Sequence, residues 1–389
     1  MKKITVRAKT AKKLRGGYPL LVAEDLLTEL SEDDFARFFD EKGQTLGTGY
    51  LSKQNKGVGW LLDSSSVKID HHFYVEKFVN ARVLRANFYQ DELTTAFRLF
   101  NGEGDGLGGL TIDFYNGFAV FSWYNQFIYS QKKAIIKAFQ VVFPDIKGAY
   151  EKLRFSDAAL ESQHIFGEEA AEPLLVMENG VTYATYLNEG LMTGIFLDQK
   201  NVRGALANGL AVGKSVLNMF SYTGAFSVAV AVGGAKQTTS VDLAKRSLEK
   251  TRQQFEVNGL DLAQQKIYVM DVFSYFNYAK KKKLTYDLIV LDPPSFARNG
   301  KKTFTVAKNY GELVEDAVDR LENNGILICS TNAANVSAQK FHQIVLSALT
   351  KSDVAFELLK TEHLPDDFCV SRAFPEGDYL KVLFIQIKK

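Results

Sequence analysis

The segment Tyr286-Asp-Leu-Ile-Val-Leu-Asp-Pro-Pro-Ser-Phe-Ala-Arg298 carries residues that can act on a planar, polar substrate. The apolar run Leu288 to Leu291 reads as a buried parallel strand ending on Asp292. Pro293 and Pro294 cannot continue a strand ladder, so the chain must leave the sheet at its carboxyl edge. That edge is where open α/β sheets bind ligands. Asp292, the Pro293 carbonyl and the Phe296 ring would there join hydrogen-bond acceptors to an aromatic face, a combination that suits a nucleobase taken out of its stack. A strand-ending Asp before a rigid loop is the plain alternative; the full Asp-Pro-Pro-Ser-Phe string favours a functional loop.

A second group of polar residues lies upstream. Val216-Leu-Asn-Met-Phe-Ser-Tyr-Thr-Gly-Ala-Phe-Ser227 ends a strand and opens a helix, with Asn218, Phe220, Ser221, Tyr222, Thr223 and Gly224 in the turn. Gly224 allows close backbone approach, and Ser221 and Thr223 are expected to cap the helix. The Gly-x-Gly-x-x-Gly pattern of a pyrophosphate cradle is missing, so a cofactor without phosphates is expected. Asp242, followed by Leu243, ends the next strand, where a carboxylate can accept both hydrogen bonds of a ribose diol. Asp271, followed by Val272, repeats the placement one strand further on and can accept from an adenine amino group. A single strand-end Asp is usually a helix cap. Three in register (Asp242, Asp271, Asp292), without a phosphate cradle, point to S-adenosyl-L-methionine rather than NAD.

The elements that must hold these residues follow from the pattern of the chain. From residue 175 to 389, strands (Gly180 to Glu189, Ser215 to Met219, Gln237 to Asp242, Lys266 to Met270, Leu288 to Leu291, Gly325 to Ser330, Tyr379 to Gln386) alternate with helices (Asn201 to Leu206, Ala225 to Val232, Leu243 to Asn258, Tyr310 to Leu321, Gln339 to Leu349). Such alternation predicts a parallel, doubly wound, Rossmann-like α/β domain. Residues 1–72 read as a small β-rich module with short strands (Ile4 to Val6, Gly47 to Leu51, Val58 to Leu62) and one amphipathic helix from Ala23 to Phe39. Residues 73–174 form a central α+β segment. Its first helix carries Val75, Phe78, Val79 and Val83 on one face, and five glycines fall within Gly102 to Gly109.

Composition restricts the partners. The 389 residues allow two or three domains, and the net charge is only +2. Seven Lys or Arg (Lys2, Lys3, Arg7, Lys9, Lys12, Lys13, Arg15) precede the first acid, Lys280 to Lys283 form a second cluster, and Arg298, Lys301 and Lys302 a third. Basic patches on a near-neutral chain fit a polyanion bound on one face. Two cysteines and five histidines show no metal-ligand spacing, so no metal is expected. No apolar run approaches the roughly 18 residues that span a membrane. The basic N-terminus is not followed by the apolar stretch of a signal peptide, and the expected location is cytoplasmic.

With Gly194-Ile-Phe-Leu-Asp-Gln-Lys-Asn-Val-Arg203, Asn218 to Gly224, Ser240-Val-Asp242, Asp292 to Phe296 and Ala373-Phe-Pro-Glu-Gly-Asp-Tyr-Leu-Lys381, the chain resembles the SAM-dependent 23S rRNA methyltransferases of the large-subunit methyltransferase I type. The resemblance implies an N-terminal PUA-like RNA-binding domain and a class I methyltransferase domain. It also implies that Phe196, Asp198, Gln199 and Arg203 help to cover the cofactor, that rRNA or a ribosomal assembly intermediate is the partner, and that a homodimer is possible. The Asn101 to Gly109 segment is similar to a glycine-rich hairpin of that family, or is simply a flexible turn.

The acceptor atom depends on one position. Family members that make 5-methylcytosine carry a cysteine after the strand that follows the Asp-Pro-Pro loop, because cytosine carbon 5 becomes nucleophilic only after a thiolate adds to carbon 6. Here that stretch is Gly325-Ile-Leu-Ile-Cys-Ser-Thr-Asn-Ala-Ala-Asn335, and alignment puts Asn332 at the nucleophile position, with Cys329 inside the strand. A lone-pair acceptor is then expected, guanine N7 first and an exocyclic amine second. A single gap in the alignment, spanning three positions, would restore Cys329 and cytosine carbon 5. A methyltransferase acting on something other than RNA, or a binding protein with a vestigial SAM fold, are the remaining classes.

Overall fold

The computed structural model describes residues 1–27, 32–54, 57–156, 158, 160–299 and 302–389. They form two compact units. One comprises Met1–Leu174 with Tyr186–Thr193 and Asp366–Gly377, the other Leu175–Thr185, Gly194–Pro365 and Asp378–Lys389.

In the first unit the N-terminal module is a five-stranded sheet in the order Lys2–Thr5, Asp34–Phe39, Thr45–Gln54, Gly57–Asp63, Leu20–Leu21. The helix expected over Ala23 to Phe39 is absent. A 3₁₀ turn covers Ala23–Asp25, and Asp34–Phe39 is a strand; residues 28–31 lie outside the described residues. The apolar positions fit either period, and pairing with Thr45–Gln54 decides: Ala36 and Phe38 alternate into the core. Helix Ala8–Arg15 buries Thr10, Ala11 and Leu14 and leaves Arg7, Lys9, Lys12, Lys13 and Arg15 exposed.

The central segment is a second five-stranded sheet, Ser162–Gly167, Gly148–Leu153, Phe118–Trp123, Leu110–Tyr115, Ala96–Asn101. Helices His71–Leu84 and Lys132–Val142 pack on it, with the Phe78 ring 5.3 Å from Phe100 and 5.6 Å from Phe139. The first of these helices faces inward through Phe73, Tyr74, Phe78 and Ala81, whereas Val79 and Val83 are exposed. The buried face is thus rotated from the one the valines mark, because the aromatic rings bury more area and take the core side. The glycine-rich stretch is packed rather than loose. A side chain at Gly104 would lie 1.8 Å from the Cys369 carbonyl oxygen, and one at Gly108 would lie 2.4 Å from the Trp60 ring. Asp105 beneath them forms a buried ion pair with Arg85 at 2.7 Å.

The second unit is built on a seven-stranded sheet in the order Gln265–Val269, Gln237–Asp242, Ser215–Met219, Tyr286–Leu291, Leu321–Thr331, Lys381–Lys388, Ala355–Glu362. The first five are parallel, and Lys381–Lys388 runs antiparallel to both neighbours. Leu288 to Leu291 are fully buried because helices cover both faces. The expected strand Gly180 to Glu189 stops at Thr185 and belongs to a separate hairpin with Leu174–Glu178. Helix Val272–Lys281, edge strand Ala355–Glu362 and the small hairpin Phe296–Asn299 with Lys302–Thr305 had no clear sequence signal. Among the described residues, no helix is long and apolar enough to cross a membrane.

Two glycines separate packing from backbone freedom. Gly104→Ala should destabilise the protein by about 1–3 kcal/mol, because the new carbon meets a rigid carbonyl. Gly311→Ala, in a helix with 3.8 Å of clearance, should be neutral or add about 0.5–1 kcal/mol. Denaturant unfolding of both variants checks the pair; equal effects would contradict the packing described.

Candidate active site

All five parallel strands of the second unit deliver polar residues at one edge. After Ser215–Met219 the chain turns with positive φ at alternate residues: Phe220 at 59°, Tyr222 at 52° and Gly224 at 79°. Left-handed backbone at two non-glycine residues costs roughly 1–3 kcal/mol each and persists only where neighbours impose it. Here the Ser221 N–H donates to the Val241 carbonyl at 3.0 Å, and the Tyr222 N–H donates to Asp242 Oδ2 at 2.8 Å. Ser221 and Thr223 do not cap helix Ala225–Val232. The N-cap is Gly224, and the Thr223 hydroxyl donates instead to the Gly194 carbonyl at 2.6 Å. Gly194 N–H donates in turn to the Tyr222 hydroxyl, so the Gly194 and Tyr222 segments hold each other. Asn218 is buried beneath the turn and donates to Ser227 Oγ at 3.0 Å.

Asp242 ends its strand with each carboxylate oxygen accepting one backbone N–H, from Ala244 and from Tyr222, both at 2.8 Å. Burial raises its pKa, and those two hydrogen bonds oppose the rise. Each oxygen keeps a second lone pair, so the group can still accept two ligand hydroxyls. Leu243 beside it is exposed. Asp271 caps helix Val272–Lys281, accepting the Ser274 N–H at 3.0 Å, and Val272 is buried under the cap. That helix carries Lys280 to Lys283 to the opposite edge of the sheet, about 15 Å away, with Lys280 3.5 Å from Asp319. This cluster is therefore remote from Asp292. Lys301 lies outside the described residues, as do the side chains of Arg298 and Lys302.

Asp292 is the strongest electrostatic feature of the edge. Burial pushes its pKa up to about 7; nearby Asp198 adds to the rise, while the Ser330 hydroxyl, Arg203 and the Gln199 amide counter it. Gln199 Nε2 donates to Asp292 Oδ1 at 3.0 Å and to Ser330 Oγ at 2.7 Å. Tyr379 donates to Asp198 Oδ2 at 3.1 Å. Arg203 is fully buried in a bidentate pair with Glu178, at 2.7 and 2.8 Å, and also donates to the Phe196 carbonyl at 2.7 Å. It therefore sets the loop from beneath instead of facing outward. Phe196 is 40% exposed and 5.4 Å from the Tyr222 ring. Pro293 is buried and Phe296 is 61% exposed.

On the next strand, Cys329 is fully buried, and burial pushes its thiol up to about 12. The exposed residue at that edge is Asn332, whose Oδ1 accepts the Ser295 hydroxyl at 2.8 Å. The buried Tyr310 hydroxyl lies 3.1 Å from the Leu291 carbonyl and 2.9 Å from that of Ser330, tying the two strand ends together. Cys369 belongs to the other unit, where its thiol donates to the Gly104 carbonyl. Ser330, Tyr310 and Glu178 gave no signal in the sequence, and Ser295 only as part of its loop motif, because each acts through a partner 25 or more positions away or through a backbone carbonyl.

The edge thus offers paired carboxylates, strained backbone and exposed aromatic rings. The buried Gln199 Oε1, Asn218 Oδ1 and Thr251 Oγ1 have no partner among the described residues. With no phosphate cradle, this set fits a nucleoside cofactor bearing a sulfonium cation. The raised pKa of Asp292 gives a sign that can be tested. Its folded state holds the proton more tightly than the unfolded chain, so the protein loses stability as pH rises from about 3.8 through about 7. Asp292→Asn should therefore raise the Tm at pH 8, with the gain shrinking towards pH 4. A gain independent of pH would show that Asp292 does not titrate there.

The profile of the S-adenosylmethionine-dependent methyltransferase family matches residues 150–366, and a PUA-like domain profile matches residues 4–64. Over its whole length the chain is 46% identical to YwbD of Bacillus subtilis, provisionally named a ribosomal RNA large subunit methyltransferase. It is 30% identical to the ribosomal RNA large subunit methyltransferase I of Aeromonas salmonicida, covering 92% of this chain and 91% of that one. Among solved structures, SMU.776, provisionally described as a methyltransferase and complexed with SAH, superposes with a TM-score of 0.95 at 47% identity, covering 99% of this chain and 100% of that chain. A profile spanning more than half the chain and full-length relatives agree with the strand order and the edge chemistry: the chain belongs to the S-adenosylmethionine-dependent methyltransferases, in the family of the large-subunit ribosomal RNA enzymes.

Proposed function

We propose that the protein transfers the methyl group of S-adenosylmethionine to guanine N7 of a nucleotide in 23S rRNA, presented as rRNA or as a ribosomal assembly intermediate. The observation that carries this reading is the position of the thiol. Cytosine carbon 5 needs a thiolate to attack carbon 6 first. Cys329 lies inside the strand with its thiol held protonated, while Asn332 occupies the exposed place beside the Asp-Pro-Pro-Ser loop. Guanine N7 already carries a lone pair and loses no proton on methylation, so alignment and desolvation suffice.

In this reading Asp242 holds the ribose diol and Asp271 the adenine amino group. The Phe220–Gly224 turn and Phe196 enclose the cofactor, and Asp292, Pro293 and Phe296 hold the flipped base. Gln199 and Asp198 set Asp292, and Arg203 sets Phe196. The exposed bases of helix Ala8–Arg15 provide phosphate contacts that a PUA-like module can use.

Nucleoside mass spectrometry of 23S rRNA from a strain lacking the protein should show loss of one 7-methylguanosine, with 5-methylcytidine unchanged. Loss of 5-methylcytidine would overturn the reading. Cys329→Ala should keep transfer and cost about 1 kcal/mol or less of stability; abolished transfer with cofactor binding intact would restore thiolate chemistry. Asp242→Ala should weaken cofactor binding about tenfold or more, as loss of charge-assisted hydrogen bonds does, read by calorimetric titration with S-adenosylmethionine.

A further inference from the structure

We infer that Ser295 is a specificity-determining positioning residue. It turns the Asn332 amide so that its N–H groups face the base, which selects guanine over cytosine and adenine. This rests on the guanine-N7 reading and names the contact that enforces it. Two hydrogen bonds fix the neighbouring Ala333 backbone, and a third holds the Asn332 side chain. Before it, Thr331 Oγ1 accepts the Ala333 N–H at 3.2 Å. After it, the buried Lys381 ammonium donates to the Ala333 carbonyl at 2.8 Å. The Ser295 hydroxyl then donates to Asn332 Oδ1 at 2.8 Å. The carbonyl end of the amide is thereby used within the protein. Asn332 Nδ2 has no partner among the described residues and lies in the open, on the strand end next to the one that delivers Asp292.

A fixed donor at this place reads the exocyclic group that lies beside the reacting atom. On guanine the group beside N7 is O6, an acceptor. On adenine it is the N6 amine, and on cytosine the group beside carbon 5 is the N4 amine; both are donors. An amide N–H meets O6 with a hydrogen bond and meets either amine with two opposed donors. A polar pair left unsatisfied once a bound base covers it is the strong form of discrimination, since its cost exceeds what one good contact adds. Ser295 follows the two prolines of the loop, whose fixed φ angles limit where its hydroxyl can go, so the loop that bears Asp292 also sets the orientation of Asn332.

The test is a double-mutant cycle on methyl transfer to 23S rRNA from a strain lacking the protein, with nucleoside mass spectrometry of the product and separate titration of S-adenosylmethionine. Ser295→Ala should lower kcat/KM about three- to tenfold, the range of one hydrogen bond, with cofactor affinity unchanged. Ser295→Thr, which keeps the hydroxyl, should restore most of the loss. Asn332→Asp, whose ionised side chain cannot donate, should lose at least as much as Asn332→Ala. The double variant Ser295→Ala/Asn332→Ala should be no slower than Asn332→Ala alone, because Ser295 acts only through Asn332. Additive losses, or a Ser295→Ala enzyme as fast as the wild type, would overturn the inference. If the wild-type product proved to be 5-methylcytidine, the guanine reading itself would fail, and the product assay separates that outcome from a failed cycle.

Discussion

The site depends on the register of parallel strands. Met219 pairs with Val241 and with Leu291, Asp242 with Val269, and Leu291 with Cys329. These pairings bring the Phe220 turn, Asp242, Asp292 and Ser330 to one level of the edge, with Asp271 two residues beyond the partner of Asp242. A slip of one residue in any strand would send its terminal acid to the opposite face, since side chains alternate. The Tyr310 hydroxyl, within hydrogen-bonding distance of both the Leu291 and Ser330 carbonyls, locks the central pair where the ladder gives way to loops. The strand order, 3-2-1-4-5-7-6 when the seven strands are numbered along the chain, places this edge at the point where the winding reverses.

Much of this frame was legible. Ser215–Met219, Gln237–Asp242 and Ala225–Val232 lie where the pattern puts them, because β-branched residues in short runs and an apolar stretch closed by glycines are local signals that need no distant residue. The acids at the edge were visible for the same reason. The failures have a common cause. Asp34–Phe39 carries a pattern that fits helix or strand, and only its partner Thr45–Gln54 settles it. Val79 and Val83 of His71–Leu84 face outward because aromatic neighbours claim the core. Ser221 and Thr223 are good caps by type, yet Gly224 takes the N-cap position and the Thr223 hydroxyl is used by the distant Gly194 carbonyl.

The pairings beneath the site were not legible. Gln199 reaches Asp292 across 93 positions and Ser330 across 131, and Arg203 reaches Glu178 across 25. Nothing local announces such pairs. The sequence resemblance named Gln199 and Arg203 as helping to cover the cofactor, but not the partners that hold them. Both are buried. Arg203 and Glu178 form a rigid post under Phe196, and Gln199 couples Asp292 to the neighbouring strand. A buried ion pair of this kind contributes little net stability, but losing one partner leaves a bare charge in the interior. Substitution in the post therefore costs stability.

The enclosure of Cys329 also bears on how the protein meets oxidants. Peroxide and disulfides attack thiolates that solvent can reach, and they react slowly with thiols held protonated inside a sheet. Cys329 is sealed between Leu291 and Leu383, and burial raises the thiol pKa of Cys369, whose sulfur is occupied with the Gly104 carbonyl. On the proposed guanine-N7 chemistry, which draws on neither sulfur, oxidants that inactivate thiolate-dependent enzymes would find no reactive thiol to attack in the methyl-transfer step.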